Sequence, residues 1–91
     1  MPNVRENRAR VELEPLGPPR PGPAAGWQVY QVRVDAADDV EGYPNLLAAD
    51  LPRQLEALVP TSVAEQLAAT DRWRVEASLA SPGRIRVEAA R

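Results

Sequence analysis

The sequence predicts a small, mainly β domain with one helix, and three observations support that prediction. Four segments alternate apolar and polar side chains, which is the period of a half-buried strand. A segment rich in Pro and Gly separates the first two, and a short turn separates the last two. The chain has 91 residues, a length that fits one domain with one core.

The composition limits both the core and the chemistry. Apolar residues make up 44% of the chain, but many of them are Ala, so few large side chains are available. A domain of this size is marginal unless a partner adds stability. The absence of Cys and His excludes disulfides and nearly all zinc and haem sites, and it removes the commonest acid–base catalyst. We therefore expect no enzyme, metal or cofactor, and expect a protein partner or a second copy.

The charge pattern weighs against strong binding to duplex nucleic acid. The 11 basic residues, all Arg, are outnumbered by 13 acidic ones, and the pI is near 5.1. The chain shows neither a long apolar run nor an apolar stretch behind its first charges, so we expect no membrane span and no signal peptide. Together with the absence of Cys, this favours a cytoplasmic location. Residues 1–7 are polar and predict a flexible start, followed by a single domain over residues 8–91.

The first strand is predicted over residues 8–16, where Ala9, Val11 and Leu13 alternate with charged residues. Eight of the 12 positions from 15 to 26 are Pro or Gly, so we expect a loop without a paired strand. Its Pro-Pro-Arg-Pro run has the composition of a polyproline ligand, but a stiff connection between two strands is the preferred interpretation.

The second strand is predicted over residues 27–35, where Tyr30 and two Val residues alternate with polar residues. Trp27 and Val29 lie on its other face, and this apolar patch has to be covered by a loop or by a partner. We therefore name Trp27 and Val29 as candidate partner-binding residues. The four carboxylates that follow between residues 35 and 42 predict a solvated acidic turn, because their spacing does not match a calcium-binding loop.

Residues 46–59 allow two predictions. Four Leu residues at helical spacing favour a helix, whereas residues 54–59 also alternate as a strand. The next segment predicts a helix over residues 62–69, because Ser62 and Glu65 have the spacing of a capping box.

The last two strands form a predicted hairpin. Residues 71–80 alternate strictly, with Trp73 on the apolar face, and a second alternating arm follows Pro82-Gly83. For Leu79 to meet Ile85 on the apolar side, the loop must hold an odd number of residues. A two-residue turn alone would not satisfy this, so we expect an extra residue or a bulge.

With a strand at residues 54–59, the order of elements resembles the OB-fold, a five-stranded barrel with one helix between strands three and four. The resemblance is one of topology and extends over most of residues 8–90. With a helix at residues 46–59, the chain would instead be a small α+β domain with a four-stranded sheet and two helices.

The resemblance implies a ligand site along the second and third strands and between two loops, which here carry Arg20 and Arg84. The hairpin adds Arg72, Arg74 and Arg86. Single-stranded nucleic acid would need stacking rings beside these cations, and few aromatic residues are present. The sequence therefore predicts a non-catalytic interaction or assembly module that self-associates or binds a protein, with a solvated arginine face neutralised by Glu76 and Glu88. The alternative is an OB-fold module that binds single-stranded nucleic acid through these arginines.

Overall fold

The computed structural model describes residues 6–49 and 51–90, so most of the predicted flexible start lies outside the described residues. Within that part of the chain, no helix is long and apolar enough to cross a membrane. The elements in chain order are β1 (Ala9–Pro15), β2 (Arg20–Pro21), β3 (Trp27–Asp39), β4 (Arg53–Pro60), α1 (Thr61–Leu67), β5 (Trp73–Ser81) and β6 (Arg84–Ala90).

Five strands close into a barrel. β1 pairs with β5 on one edge and with β3 on the other, and the circle is completed through β6 and β4. All pairs are antiparallel except β4 with β6, which are parallel. The predicted barrel with one helix is confirmed at the level of topology. Because the short β2 is an additional strand, the helix follows the fourth strand of the chain and the third strand of the barrel.

In the segment that allows two predictions, Arg53–Pro60 forms strand β4, and the α+β alternative is wrong. β4 is hydrogen-bonded to β3 on one edge and to β6 on the other, with Leu55, Ala57 and Val59 buried inside the barrel. Pairing on both edges and burial of alternate residues outweigh the helical spacing of the leucines.

The barrel interior is filled by the inward residues of every barrel strand, as the alternation predicts. Trp73 is the largest of them, with 3% of its surface exposed, and its ring meets Tyr30 edge to face at 4.9 Å between centroids. Val63, Ala64 and Leu67 of α1 and Leu47 of the β3–β4 loop complete the core.

The predicted acidic turn is wrong for its first part, because β3 continues to Asp39. β3 pairs with β4 over residues 27–34 and, on its other edge, with β1 over residues 32–39. The partner of β1 changes from Ala36 opposite Glu12 to Val34 opposite Leu13, which leaves Asp35 as an extra residue in a bulge. Pairing with β1 satisfies the backbone of this acidic segment.

The hairpin register is confirmed. Leu79 lies opposite Ile85, and the pairing shifts between Leu79 and Ser81, so that Ala80 is the extra residue. Gly83 has a φ of 80°, as the third position of a type II turn requires. The bulge therefore reconciles a two-residue turn with the inward direction of both apolar faces.

The predicted capping box does not form. α1 begins at Thr61, directly after Pro60, and no side chain caps it, because β4 runs into the helix and Ser62 is already helical. The Thr61 N–H instead donates to the carbonyl of Gly26, at 2.9 Å.

Just before β1, the side chain of Asn7 forms hydrogen bonds with the backbone of β5, as a neighbouring strand would. Its Oδ1 accepts from the Leu79 N–H at 2.8 Å, and its Nδ2 donates to the Leu79 carbonyl at 3.2 Å. Asn7 is buried, so the ordered structure includes this residue.

We expect Trp73→Ala to destabilise the domain by about 3–5 kcal/mol, because it removes a buried aromatic ring and leaves a cavity against Tyr30. Chemical denaturation followed by circular dichroism measures this change. A Trp73→Ala variant with near wild-type stability would contradict the assignment of this ring to the core.

Candidate functional site

One outer surface of the barrel brings together five of the seven predicted site residues. Arg20 lies opposite Val29, Val29 opposite Leu58, and Leu58 opposite Arg86. Directly paired residues point to the same side of a sheet, so these four residues form one row across four strands.

Two further rows complete this surface, one at each side. Trp27 lies opposite Pro60, and Glu56 lies opposite both Gln31 and Arg84. We call this surface the β3–β4–β6 face, and it consists of Arg20, Trp27, Val29, Gln31, Glu56, Leu58, Pro60, Arg84 and Arg86.

The Pro-rich segment is part of this surface, and the prediction that it contains no paired strand is wrong. Arg20 and Pro21 pair with β3 as an edge strand, where a Pro is tolerated because only one side of the strand is paired. The Gly22 N–H donates to the Trp27 carbonyl at 3.0 Å. A Cβ at position 22 would lie 2.7 Å from that oxygen, so this close approach requires glycine.

The chain itself covers part of the predicted apolar patch. Val29, beside β2, has only 4% of its surface exposed. Trp27, Leu58 and Pro60 are half-buried and remain at the surface. The apolar part of the face is therefore centred on Trp27 and Leu58, and Val29 supports it from below.

Glu56 joins the two loops that the OB-fold resemblance implicates. Its Oε2 binds Arg20 from the β1–β3 connection, and its Oε1 accepts from Nε of Arg84 in the hairpin at 2.7 Å. Its backbone N–H donates to the carbonyl of Gly83 at 2.9 Å. Hydrogen bonds from Arg84 and then Arg20 hold the pKa of Glu56 below its ordinary value.

The third arginine of the face has its own carboxylate. Nε of Arg86 donates to Oε2 of Glu88 at 3.0 Å, and the Ser78 hydroxyl donates to the same oxygen at 3.0 Å. Glu88 therefore pairs with one arginine of the face, Arg86, whereas Glu76 pairs with Arg8 at 3.4 Å. With Glu56 and Glu88 against three arginines, the face and its carboxylates carry one net positive charge.

The other two predicted arginines lie in a separate ion-pair network across β1, β3 and β5. Arg72 binds Asp35 at 3.1 Å, and Arg74 binds Glu12 at 3.5 Å. A hydrogen bond from Arg33 is the largest cause that lowers the pKa of Asp35. The network has three arginines and three carboxylates and is neutral. Its members in order are Glu14, Arg33, Asp35, Arg72, Glu12 and Arg74.

The arrangement suits binding better than proton transfer or metal coordination. Glu56 and Glu88 are both engaged by arginines. Within residues 6–49 and 51–90, no group of three or more acidic, His or Cys side chains is placed to hold a metal ion. Sequence reasoning missed Glu56, whose only local sign is its polar position in the alternation of β4.

Glu56→Gln should reduce stability at pH 7 and flatten the dependence of stability on pH in acid. A lowered pKa in the folded state means that Glu56 stabilises the fold fully above its ordinary pKa of 4.5, and that this contribution is lost as the pH falls through the lowered value. Denaturant unfolding between pH 2.5 and 7 measures both effects. Glu65→Gln, which removes an exposed carboxylate from α1, is the matched control, and identical profiles for the two variants would contradict the role of Glu56.

Comparison with known proteins adds no relative. No protein-family model matches the chain, and no match was found among curated proteins or solved structures.

Proposed function

We propose that the chain is a small non-catalytic interaction module that associates with protein, and specifically with a second copy of itself, through the β3–β4–β6 face. The observation that carries this proposal is the central row, in which Leu58 and Val29 lie between Arg20 and Arg86. An apolar centre with arginines at its rim is the usual anatomy of a protein interface.

The size of the core supports self-association. A domain of this length buries a smaller fraction of its chain's surface than a larger one, so apolar surface covered in a contact would add stability. Trp27 and Leu58 are the large side chains of the face that remain half-buried. Covering them in a contact between copies would remove apolar surface from water, at about 25 cal/mol per Å².

The state of the carboxylates supports a non-catalytic role. A general acid or base works best when its pKa lies near the working pH, and the pKa of Glu56 is shifted away from neutrality. The absence of His and Cys leaves no other usual proton carrier on the face. We keep the cytoplasm as the proposed location, because a chain without Cys does not rely on an oxidising compartment.

A second candidate function is binding of single-stranded nucleic acid, and one observation favours it. Trp27 shares the face with three arginines, the combination of stacking ring and cations that such sites use. Against it, the whole chain has a net charge of −2, and Trp27 is the single aromatic residue among the nine of the face. We therefore rank protein association first.

We expect Leu58→Gln to weaken self-association at least about tenfold, since it places an amide at the centre of the face. Sedimentation equilibrium over a wide concentration range measures the association constant. Ala69→Gln, which places the same side chain at an exposed position after α1, should leave the association unchanged. A wild-type chain that stays monomeric at every concentration would contradict the proposed self-association.

A nucleic-acid binding assay distinguishes the two candidate functions, and we expect it to be negative. A fluorescence-anisotropy titration of a labelled single-stranded oligonucleotide at two salt concentrations should show no salt-sensitive binding. If the wild type binds at micromolar concentration, weakens with salt and loses this binding on Arg84→Gln/Arg86→Gln substitution, the ranking of the two functions is reversed.

A further inference from the structure

We propose that the second copy docks head to tail, with its acidic corner on the arginines of the β3–β4–β6 face. The acidic corner is the end of β3 and the start of the next turn, and consists of Asp38, Asp39, Val40 and Glu41. This inference rests on the proposed self-association and names the surface that occupies the face.

The acidic corner carries the charge opposite to that of the arginines of the face. Asp38, Asp39 and Glu41 are exposed, and among the described residues none of them forms an ion pair. Arg10 lies opposite Asp38 in the pairing of β1 with β3, yet no ion pair joins their side chains. Asp39 accepts one hydrogen bond, from Nδ2 of Asn45 at 3.0 Å. Asp38 and Asp39 lie on opposite sides of β3 at its end, and the carboxylates of the corner face solvent without a bound cation among the described residues.

The arginines of the face retain hydrogen-bond donors for such carboxylates. Arg86 binds Glu88 through Nε, and Arg20 binds Glu56 through one Nη. Their side chains remain 53% and 55% exposed. A guanidinium has five N–H donors, and hydrogen bonds between guanidinium and carboxylate are among the strongest in proteins.

The apolar residues of the two surfaces also match. Val40 is half-buried and lies between Asp39 and Glu41 in the chain, and Leu58 is half-buried in the row that joins Arg20 and Arg86. A contact that joins the charges therefore also covers apolar surface on both sides. This combination of charge and apolar complementarity selects a second copy as the occupant.

The position of the two surfaces makes the contact heterologous. Both belong to β3, but Gln31 at the edge of the face and Asp38 at the corner are seven residues apart, or up to about 23 Å along a strand. The longest dimension of the domain is 32 Å, so the two surfaces are well separated. A contact between two different surfaces leaves one of each free, and it repeats into a chain or closes into a ring.

Two neutralising variants test this arrangement. The face variant carries Arg20→Gln, Arg84→Gln and Arg86→Gln, and the corner variant carries Asp38→Asn, Asp39→Asn and Glu41→Gln. Each variant alone lacks one of the two surfaces, so each should associate at least about tenfold more weakly than the wild type. A mixture retains one intact pair, the corner of the face variant with the face of the corner variant. We expect an equimolar mixture to form a dimer of one copy of each, and nothing larger, in sedimentation velocity.

The controls separate this inference from the proposed function. Arg72→Gln/Arg74→Gln removes two arginines from the separate network and should leave assembly unchanged. If the corner variant assembles like the wild type and the face variant does not, the face is an interface but its occupant is not the acidic corner, and the inference is overturned. A monomeric wild type overturns the proposed function as well. If the triple face variant does not fold, Arg86→Gln replaces it, because Arg86 is bound to Glu88 and not to β2.

Discussion

The structure depends on the closure of the barrel by β1, which is hydrogen-bonded to β3 on one edge and to β5 on the other. β3 pairs with β4 on one edge and with β1 on the other over residues 32–34, and past the bulge at Asp35 it continues along β1. Once the circle is closed, every barrel strand has two neighbours and one inward face. A barrel of five strands is narrow, so Ala9, Ala57 and Ala77 fill positions that are completely buried. The alanine-rich composition, which by itself indicates a weak core, thus suits this barrel.

Closure of the barrel also places the charged side chains in separate groups on its outer surface. Around β1, β3 and β5, arginines and carboxylates alternate in a neutral network that includes Arg33 and Asp35. Around β4 and β6, three arginines share two carboxylates, one of which, Glu56, also fixes the position of β2. The end of β3 carries carboxylates without cations. Positive and negative charges are therefore unevenly distributed over the surface of this acidic protein. This distribution and the apolar row through Leu58 are the basis of the proposed function.

The parts of the fold that the sequence predicts are those governed by local periodicity. The inward side of Trp73 follows from strict alternation, and the bulge at Ala80 follows from parity alone, because Leu79 and Ile85 must face the same way. The parts that it does not predict depend on remote partners. The acidic residues up to Asp39 form a strand only because β1 is available to pair with them.

The candidate site shows the same division. That Arg20 and Arg84 lie on one surface follows from the order of the elements and its resemblance to the OB-fold. That they share Glu56 depends on the register of three strands, including the parallel pairing of β4 with β6, and no local pattern encodes this register. Arg74 lies in the first arm of the hairpin, next to the arm that carries Arg84 and Arg86. Pairing of this first arm with β1 nevertheless places Arg74 beside Glu12.

The proposed assembly joins two copies of this protein through the β3–β4–β6 face. The most direct measurement is a concentration series of amide nitrogen–proton NMR spectra, which reports association residue by residue. We expect shifts or broadening at Trp27, Leu58 and Arg86 and at the acidic corner as concentration rises, with the amides of Arg72 and Arg74 unchanged. Spectra that do not change with concentration, or changes centred on the network around Arg33 and Arg72, would contradict it.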